Sequence, residues 1–255
     1  MDTGYSTPLL DLFRRGEVAR DVRLLGARGA LAPRAHEQLG LLMLLVSDPD
    51  PDVAATAEAT LGAIPVPSLA GFLARADAPA EMRAFFAARG IEPSPEADAG
   101  GEALAGADDE EAPEEEPADD EGSLLQKLAS MTVAQRVIRA MKGSREERAV
   151  LVRDPNKLVS AAVLSSPKLT ETEVEAIARM ANVSEDVLRI IGRTRAWMKS
   201  YAVTVALARN PKTPVTISMN LLARLMDKDL RLIASDRNVP DVLRTTARRK
   251  VVADK

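Results

Sequence analysis

The C-terminal half of the chain resembles itself at a fixed offset. Residues 159–178, VSAAVLSSPKLTETEVEAIA, align with residues 203–222, VTVALARNPKTPVTISMNLL, and the Pro-Lys pairs at 167–168 and 211–212 coincide at an offset of 44. Repetition at about 40–45 residues predicts helix-turn-helix units that bury their apolar faces only by stacking on one another. Four polar loop residues also recur at steps of 28: Asp154, Asn182, Asn210 and Asn238.

Helix start signals are frequent, which favours short helices over strands. Thr-Pro pairs at 7–8 and 213–214 place a capping hydroxyl before a proline at the first helical position. Segments 149–153 and 202–208 are also compatible with strands, but the flanking caps and the alanine content favour helix. We therefore predict an all-α fold of short helices held together by packing. Capping boxes of the S/T-x-x-E/Q type occur at Ser123–Gln126, Thr132–Gln135, Ser144–Glu147 and Thr170–Glu173.

Segment 92–122 interrupts this pattern. It contains fourteen Asp and Glu residues, no Lys or Arg, and almost no large apolar side chain. Such a segment cannot bury enough surface to offset its ordering entropy, so we predict that it is disordered. It would act as an acidic linker between an N-terminal helical-repeat module (1–91) and a C-terminal one (123–255).

Charge is distributed unevenly over these three parts. The whole chain has a formal charge of −4, whereas residues 1–91 carry −2, the acidic linker −14 and residues 123–255 carry +12. We therefore expect the C-terminal module to attract anionic partners. Because the linker is the nearest polyanion, we also expect it to compete with external anions for the basic module.

Several loops resemble a known class of helical repeats. The stretches 151–159, 164–174, 206–225 and 235–243 each run from a short helix through a turn into another helix, as in LVRDPNKLV and ALARNPKTPVTISMNLLARL. They are similar to leucine-rich repeat variant and HEAT-like bacterial α-helical repeats, and this resemblance implies an α-solenoid. The iron–sulfur centre of the first family does not carry over, because the chain has no cysteine.

A second resemblance covers most of the C-terminal half. Residues 123–252 resemble a group of uncharacterised bacterial proteins built around a segment like KGSREERAVLVRDPNKLVSAAVL. This resemblance implies a helical-repeat fold but does not imply any activity.

The composition excludes several kinds of chemistry. Without cysteine there is no disulfide, thiolate nucleophile or zinc–thiolate site, and a Ser-His-Asp triad could use only His36. Asp48, Asp50 and Asp52 alternate as in a calcium loop, but the Gly and Glu that such a loop requires are absent. We interpret them as a turn whose last aspartate caps a helix beginning at Val53. We predict no enzymatic activity, no cofactor and no metal.

A basic and aromatic stretch is the first candidate binding site. Arg193, Arg195 and Lys199 surround Trp197 and Tyr201, which share a face if this stretch is helical. Basic groups interleaved with aromatic rings can neutralise and stack on nucleic acid. The same two rings would also fit a seam between repeats while the cations stay in water, and we favour this second interpretation.

The second candidate is a basic run near the C-terminal end of the sequence. Arg244 and Arg248 share a helical face, and Arg249 and Lys250 follow. Positive charge complements the dipole at a helix C-terminus, so we favour a local capping role over a phosphate grip.

These observations predict a non-enzymatic interaction scaffold whose partner is an acidic protein segment. The alternative is a sequence-tolerant nucleic-acid-binding protein. The longest apolar run, 39–46, is too short to span a membrane, and the acidic first residues lack a signal-peptide core. We therefore expect a cytoplasmic location, and the sequence leaves the oligomeric state open.

Overall fold

The computed structural model describes residues 7–31, 34–94 and 121–253. Within these ranges the chain forms sixteen α-helices and one 3₁₀ turn and no strand, which confirms the predicted all-α class. The first eight helices are α1 Pro8–Arg14, α2 Arg20–Ala27, α3 Ala35–Leu45, α4 Pro51–Ala63, α5 Val66–Ala74, α6 Ala80–Ala87, α7 Glu121–Ser130 and α8 Val133–Lys142. The other eight are α9 Arg145–Leu151, α10 Lys157–Ser165, α11 Glu171–Arg179, α12 Glu185–Arg193, α13 Tyr201–Arg209, α14 Val215–Leu222, α15 Asp227–Ser235 and α16 Asp241–Ala253.

Local caps begin many of these helices as predicted. Thr7 accepts from the Leu10 amide, and the boxes that start at Thr132, Ser144 and Thr170 all form their reciprocal hydrogen bonds. Two predicted caps are wrong. Ser123 lies inside α7, which already begins at Glu121, and the Thr213 hydroxyl is buried without a hydrogen-bond partner among the described residues because α14 begins only at Val215.

The chain divides into two compact units. Met1–Glu147 and Ser165–Pro167 form the first, and Arg148–Leu164 and Lys168–Lys255 form the second. This division differs from the predicted modules because α8 packs on α2, so that residues 121–147 group with the N-terminal helices. The predicted disorder of the linker concerns mainly residues 95–120, which lie outside the described residues.

Each unit has its own aliphatic core. In the first, α3 packs on α1, α2, α4 and α6, and Leu39 and Leu42 are completely buried. In the second, α11 packs on α13, α13 on α14, and α16 on both α14 and α15. Leu188, Ile191 and Leu207 are completely buried in this second core.

The repeat in the C-terminal half is shorter than the sequence offset indicates. From α9 onward, alternate helices begin 26 to 30 residues apart, so two successive helices with their turns span about 28 residues, compared with the predicted unit of 40–45. The offset of 44 is the distance from the start of α10 to the start of α13, which is three helix–turn steps. Because two of these turns share a Pro-Lys pair, at 167–168 and 211–212, an alignment can match one helix of a pair with the other.

No single described helix is long and apolar enough to cross a membrane. The adjoining helices α4 and α5 pass that test of length and composition only as a pair, and they meet at a bend of 86°.

Candidate functional site

The basic turn, residues 193–199, joins α12 to α13. Thr194 follows the last residue of α12, and its hydroxyl donates a hydrogen bond to the Ile190 carbonyl at 2.9 Å. A 3₁₀ turn over Trp197–Lys199 follows, and the Ser200 amide donates to the Trp197 carbonyl at 3.0 Å. These local hydrogen bonds define the backbone on which the cations are presented.

The two aromatic residues of this site lie in different elements. Trp197 begins the 3₁₀ turn and is half-buried, whereas Tyr201 is the first residue of α13 and is 38% exposed. The condition for a shared helical face is therefore not met, because the helix is interrupted at Ser200. The basic turn thus offers a single aromatic ring flanked by cations.

Tyr201 has a structural partner within the repeats. Its hydroxyl donates to the Asp229 carboxylate in α15 and accepts from the Met226 amide at 3.0 Å. Burial and the hydrogen bond to Asp229 raise the pKa of the Tyr201 phenol. The side chain therefore links the start of α13 to the start of α15.

Arg224 fixes the basic turn from the following repeat. Its guanidinium donates to the Met198 carbonyl at 2.6 Å. Arg224 is exposed and adds a fourth positive charge to the turn. No sequence pattern indicates this residue, because it lies 26 positions from its acceptor.

The cations of the basic turn differ from those arginines of the same unit that form ion pairs. Arg193, Arg195 and Lys199 are exposed and form no ion pair with any residue that the structure describes. By contrast, Arg189 pairs with Glu185 and Asp186 on its own helix. The turn therefore carries positive charge that has no carboxylate counterpart in residues 7–31, 34–94 and 121–253. Paired arginines of the same unit are Arg148, Arg179, Arg209 and Arg244.

The second candidate cluster lies on α16, and Lys250 of this run falls in the last turn of that helix. Arg244 is in its first turn and pairs with Asp241 at 2.6 Å. Arg248 donates through Nε to the Ala234 carbonyl at 3.1 Å and so caps the C-terminal turn of α15. Arg249 is exposed. Arg248 thus acts at the end of the neighbouring helix, and Lys250 is the member of the run in the last turn of α16.

The acidic turn at 48–52 serves to hold helices together. Asp50, and not Asp52 as predicted, caps α4 by accepting from the Asp52 and Val53 amides. Arg20 binds Asp50 and Asp52, and Arg23 binds Asp48 at 2.6 Å, so all three carboxylates face arginines of α2.

His36 lies beside a buried carboxyl at the start of α3. Its Nε2 is 3.9 Å from Glu37 Oε1. Burial and the nearby Arg34 lower the pKa of His36, and burial raises the pKa of Glu37. Both shifts favour the uncharged forms, in agreement with an ordinary structural position for the histidine.

The comparisons with known proteins return no relative of this chain. No protein-family model, no curated protein and no solved structure matches it.

Trp197 gives a direct test of the charge around the basic turn, because it is the only tryptophan of the chain. We expect iodide to quench its fluorescence about twofold or more better than caesium at low salt, relative to free N-acetyltryptophanamide. The difference should shrink once the ionic strength exceeds about 0.1 M, where charges are screened within about 10 Å. Equal relative quenching by both ions would contradict the assigned electrostatics.

Proposed function

We propose that the chain is a non-enzymatic interaction scaffold whose basic turn binds an acidic segment of a partner protein. One observation carries this proposal: three cations without carboxylate partners lie within seven residues, around a half-buried aromatic ring. Exposed, unpaired cations attract carboxylates and raise the rate of encounter with them.

The repeating contacts support a solenoid as the scaffold. Hydrogen bonds and ion pairs join residues 25 to 32 positions apart, including Tyr201 with Asp229, Arg209 with Asp236, and Lys212 with the Val183 carbonyl. This separation is one two-helix unit, so each unit bonds to the next, as in α-solenoids.

An acidic protein segment fits the basic turn better than nucleic acid does. Proteins that bind single strands without sequence preference stack successive bases on several rings. Here Trp197 is the one ring between the cations, and the Tyr201 hydroxyl is engaged with Asp229 and Met226. A single ring with four surrounding cations suits carboxylates interspersed with apolar side chains.

The experiment that tests this proposal compares two triple variants of the full chain. Arg193→Ala/Arg195→Ala/Lys199→Ala should weaken binding of a short fluorescein-labelled poly-glutamate peptide about tenfold at low salt, since exposed ion pairs contribute about 0.2–1 kcal/mol each. The matched control, Arg14→Ala/Arg15→Ala/Arg28→Ala, removes the same charge from exposed positions in the first unit. Its affinity should change less than about twofold.

Two outcomes would overturn the proposal. Equal losses in both variants would mean that only net charge matters. Tighter binding of a single-stranded oligonucleotide, with an affinity that falls with salt by a slope of about −0.7 per phosphate neutralised, would favour the nucleic-acid alternative.

We also propose that the acidic linker competes with the partner for the basic turn. The support is the charge of −14 over residues 92–122 beside +12 over residues 123–255. Replacing Asp and Glu of residues 108–116 by Asn and Gln in the full chain should tighten poly-glutamate binding at low salt. An unchanged affinity for poly-glutamate would contradict competition by the linker. It would leave the proposal that the basic turn is the binding site unaffected.

A further inference from the structure

A groove between α15 and α16 combines an apolar floor with two arginines. Its floor is formed by small and branched apolar side chains, and Val252 is 72% exposed. Arg231 and Arg248 lie one helical turn before the apolar residues of their own helices. The lining residues are Arg231, Ala234, Ser235, Arg248, Val251 and Val252.

The two helices present the same pattern to this groove. On α15, Arg231 is followed at positions i+3 and i+4 by Ala234 and Ser235, and on α16, Arg248 is followed at the same positions by Val251 and Val252. Such spacing places each set of three on one helical face. Because Arg248 donates to the Ala234 carbonyl, its guanidinium is held at the end of α15.

The charge around the groove is positive. Three nearby carboxylates of the described residues are already engaged, since Asp236 binds Arg209 at 3.3 Å, Asp241 binds Arg244 at 2.6 Å and Asp229 accepts from the Tyr201 hydroxyl. Arg231 itself forms no ion pair within the part of the chain that the structure describes. An occupant that carries both carboxylates and an apolar side chain would complement this lining.

We propose that the α15–α16 groove binds an acidic amphipathic segment of a partner protein. An apolar side chain of that segment contacts Val251 and Val252, and carboxylates on either side of it contact Arg231 and Arg248. This inference rests on the proposed function, because the partner belongs to the same chemical class. It adds a second contact surface, whose aliphatic side chains Val251 and Val252 differ from the aromatic ring of the basic turn.

Charge complementarity selects this occupant over a second copy of the chain. A symmetric dimer through the groove would bring together two copies of a surface that carries Arg231 and Arg248. Like charges placed opposite one another are destabilising. An amphipathic acidic helix or strand meets the same surface with opposite charge.

The test compares two peptides of equal charge on the full chain. One is poly-glutamate, and the other contains leucine at every fourth position. The wild-type chain should bind the leucine-containing peptide about tenfold more tightly, since burial of one leucine supplies at least that factor. The double variant Arg231→Ala/Val252→Asp should lose this preference. Both residues are exposed, so the variant should unfold at the same urea concentration as the wild type.

The matched control carries the same substitutions at exposed positions of the first unit. Arg15→Ala/Val66→Asp should retain the preference for leucine. If Arg231→Ala/Val252→Asp also retains the preference for leucine, the proposed binding site in the groove is overturned. The proposal that the basic turn binds poly-glutamate is unaffected by that result. If neither peptide binds the wild type, the proposed function fails as well. A dimer of the wild type that Val252→Asp dissociates would assign the groove to a second copy and overturn the inference.

Discussion

Replacing Arg148 by alanine is expected to lower the free energy of unfolding by about 3–5 kcal/mol, because it leaves a buried carboxylate without its partner. Arg148 and Glu173 are almost fully buried, with side-chain exposures of 6% and 8%. The guanidinium donates to Glu173 Oε1 from Nε at 3.1 Å and from Nη2 at 2.8 Å. This pair therefore links α9 to α11 inside the second unit.

Urea unfolding followed by Trp197 fluorescence measures this effect, since the tryptophan lies in the same unit as the pair. The matched control is Arg179→Ala, which removes an exposed arginine paired with Glu175 on one helix. Exposed helical pairs contribute about 0.3–0.5 kcal/mol, so the control should unfold nearly as the wild type does. Similar decreases in the free energy of unfolding for the two variants would show that the buried pair stabilises the protein no more than the exposed pair does.

The same pair makes stability depend on pH. Burial by itself would raise the pKa of Glu173, but hydrogen bonds from Thr170 and Arg148 and the charge of Arg148 hold the pKa below its ordinary value of 4.5. A carboxyl with a lowered folded-state pKa stabilises the protein fully above the unfolded value and loses that contribution as the pH falls through the folded value. Wild-type stability should decline below about pH 4.5, and Arg148→Ala should show a smaller decline.

Replacing Asn210 by aspartate is expected to lower the free energy of unfolding by about 3–4 kcal/mol, as two buried hydrogen bonds are lost and a charge faces two carbonyl oxygens. Asn210 is only 4% exposed. Its Nδ2 donates to the Ala178 carbonyl at 2.8 Å and to the Met180 carbonyl at 2.9 Å, at the end of α11. Its Oδ1 accepts from the Lys212 amide at 3.0 Å.

Aspartate retains the oxygen that accepts from Lys212, so Asn210→Asp isolates the bonds between the helices from the local turn. Asn210→Ala should be less destabilising, by about 2–3 kcal/mol, because it adds no charge. The matched control is Asn238→Asp, which changes the exposed asparagine 28 residues further on and should stay within about 0.5 kcal/mol of the wild type. If Asn210→Asp is as stable as Asn238→Asp, the expected stabilisation by the two hydrogen bonds from Asn210 Nδ2 is contradicted.

The asparagine series illustrates the limit of the sequence pattern. Asp154, Asn182, Asn210 and Asn238 all lie in polar loops, yet Asn210 is buried whereas Asn182 and Asn238 are exposed. In three of the turns, a side chain accepts a hydrogen bond from the backbone amide two residues ahead. These side chains belong to Asp154, Asn210 and Asp236. Equal spacing therefore predicted where the turns lie, but it did not predict which side chain accepts the hydrogen bond in every turn.

Helix positions and class were accessible from the sequence because they depend on neighbours three or four residues away. The caps at Thr132 and Thr170 need only Gln135 and Glu173, and both form as predicted. The same local logic failed at Thr213, where the buried hydroxyl has no hydrogen-bond partner among the described residues and the helix begins two residues later. Net charge by segment also follows directly from counting.

The ion pairs between residues distant in the sequence were decided only by the tertiary structure. Arg209 reaches Asp236 and Arg148 reaches Glu173, whereas Arg193 and Arg195 form no ion pair with the described residues. These partners lie about one two-helix unit apart, and their meeting depends on how successive helices stack. Local hydrogen bonds thus determine where many of the helices begin, and contacts between helices distant in the sequence determine which of these long-range ion pairs form.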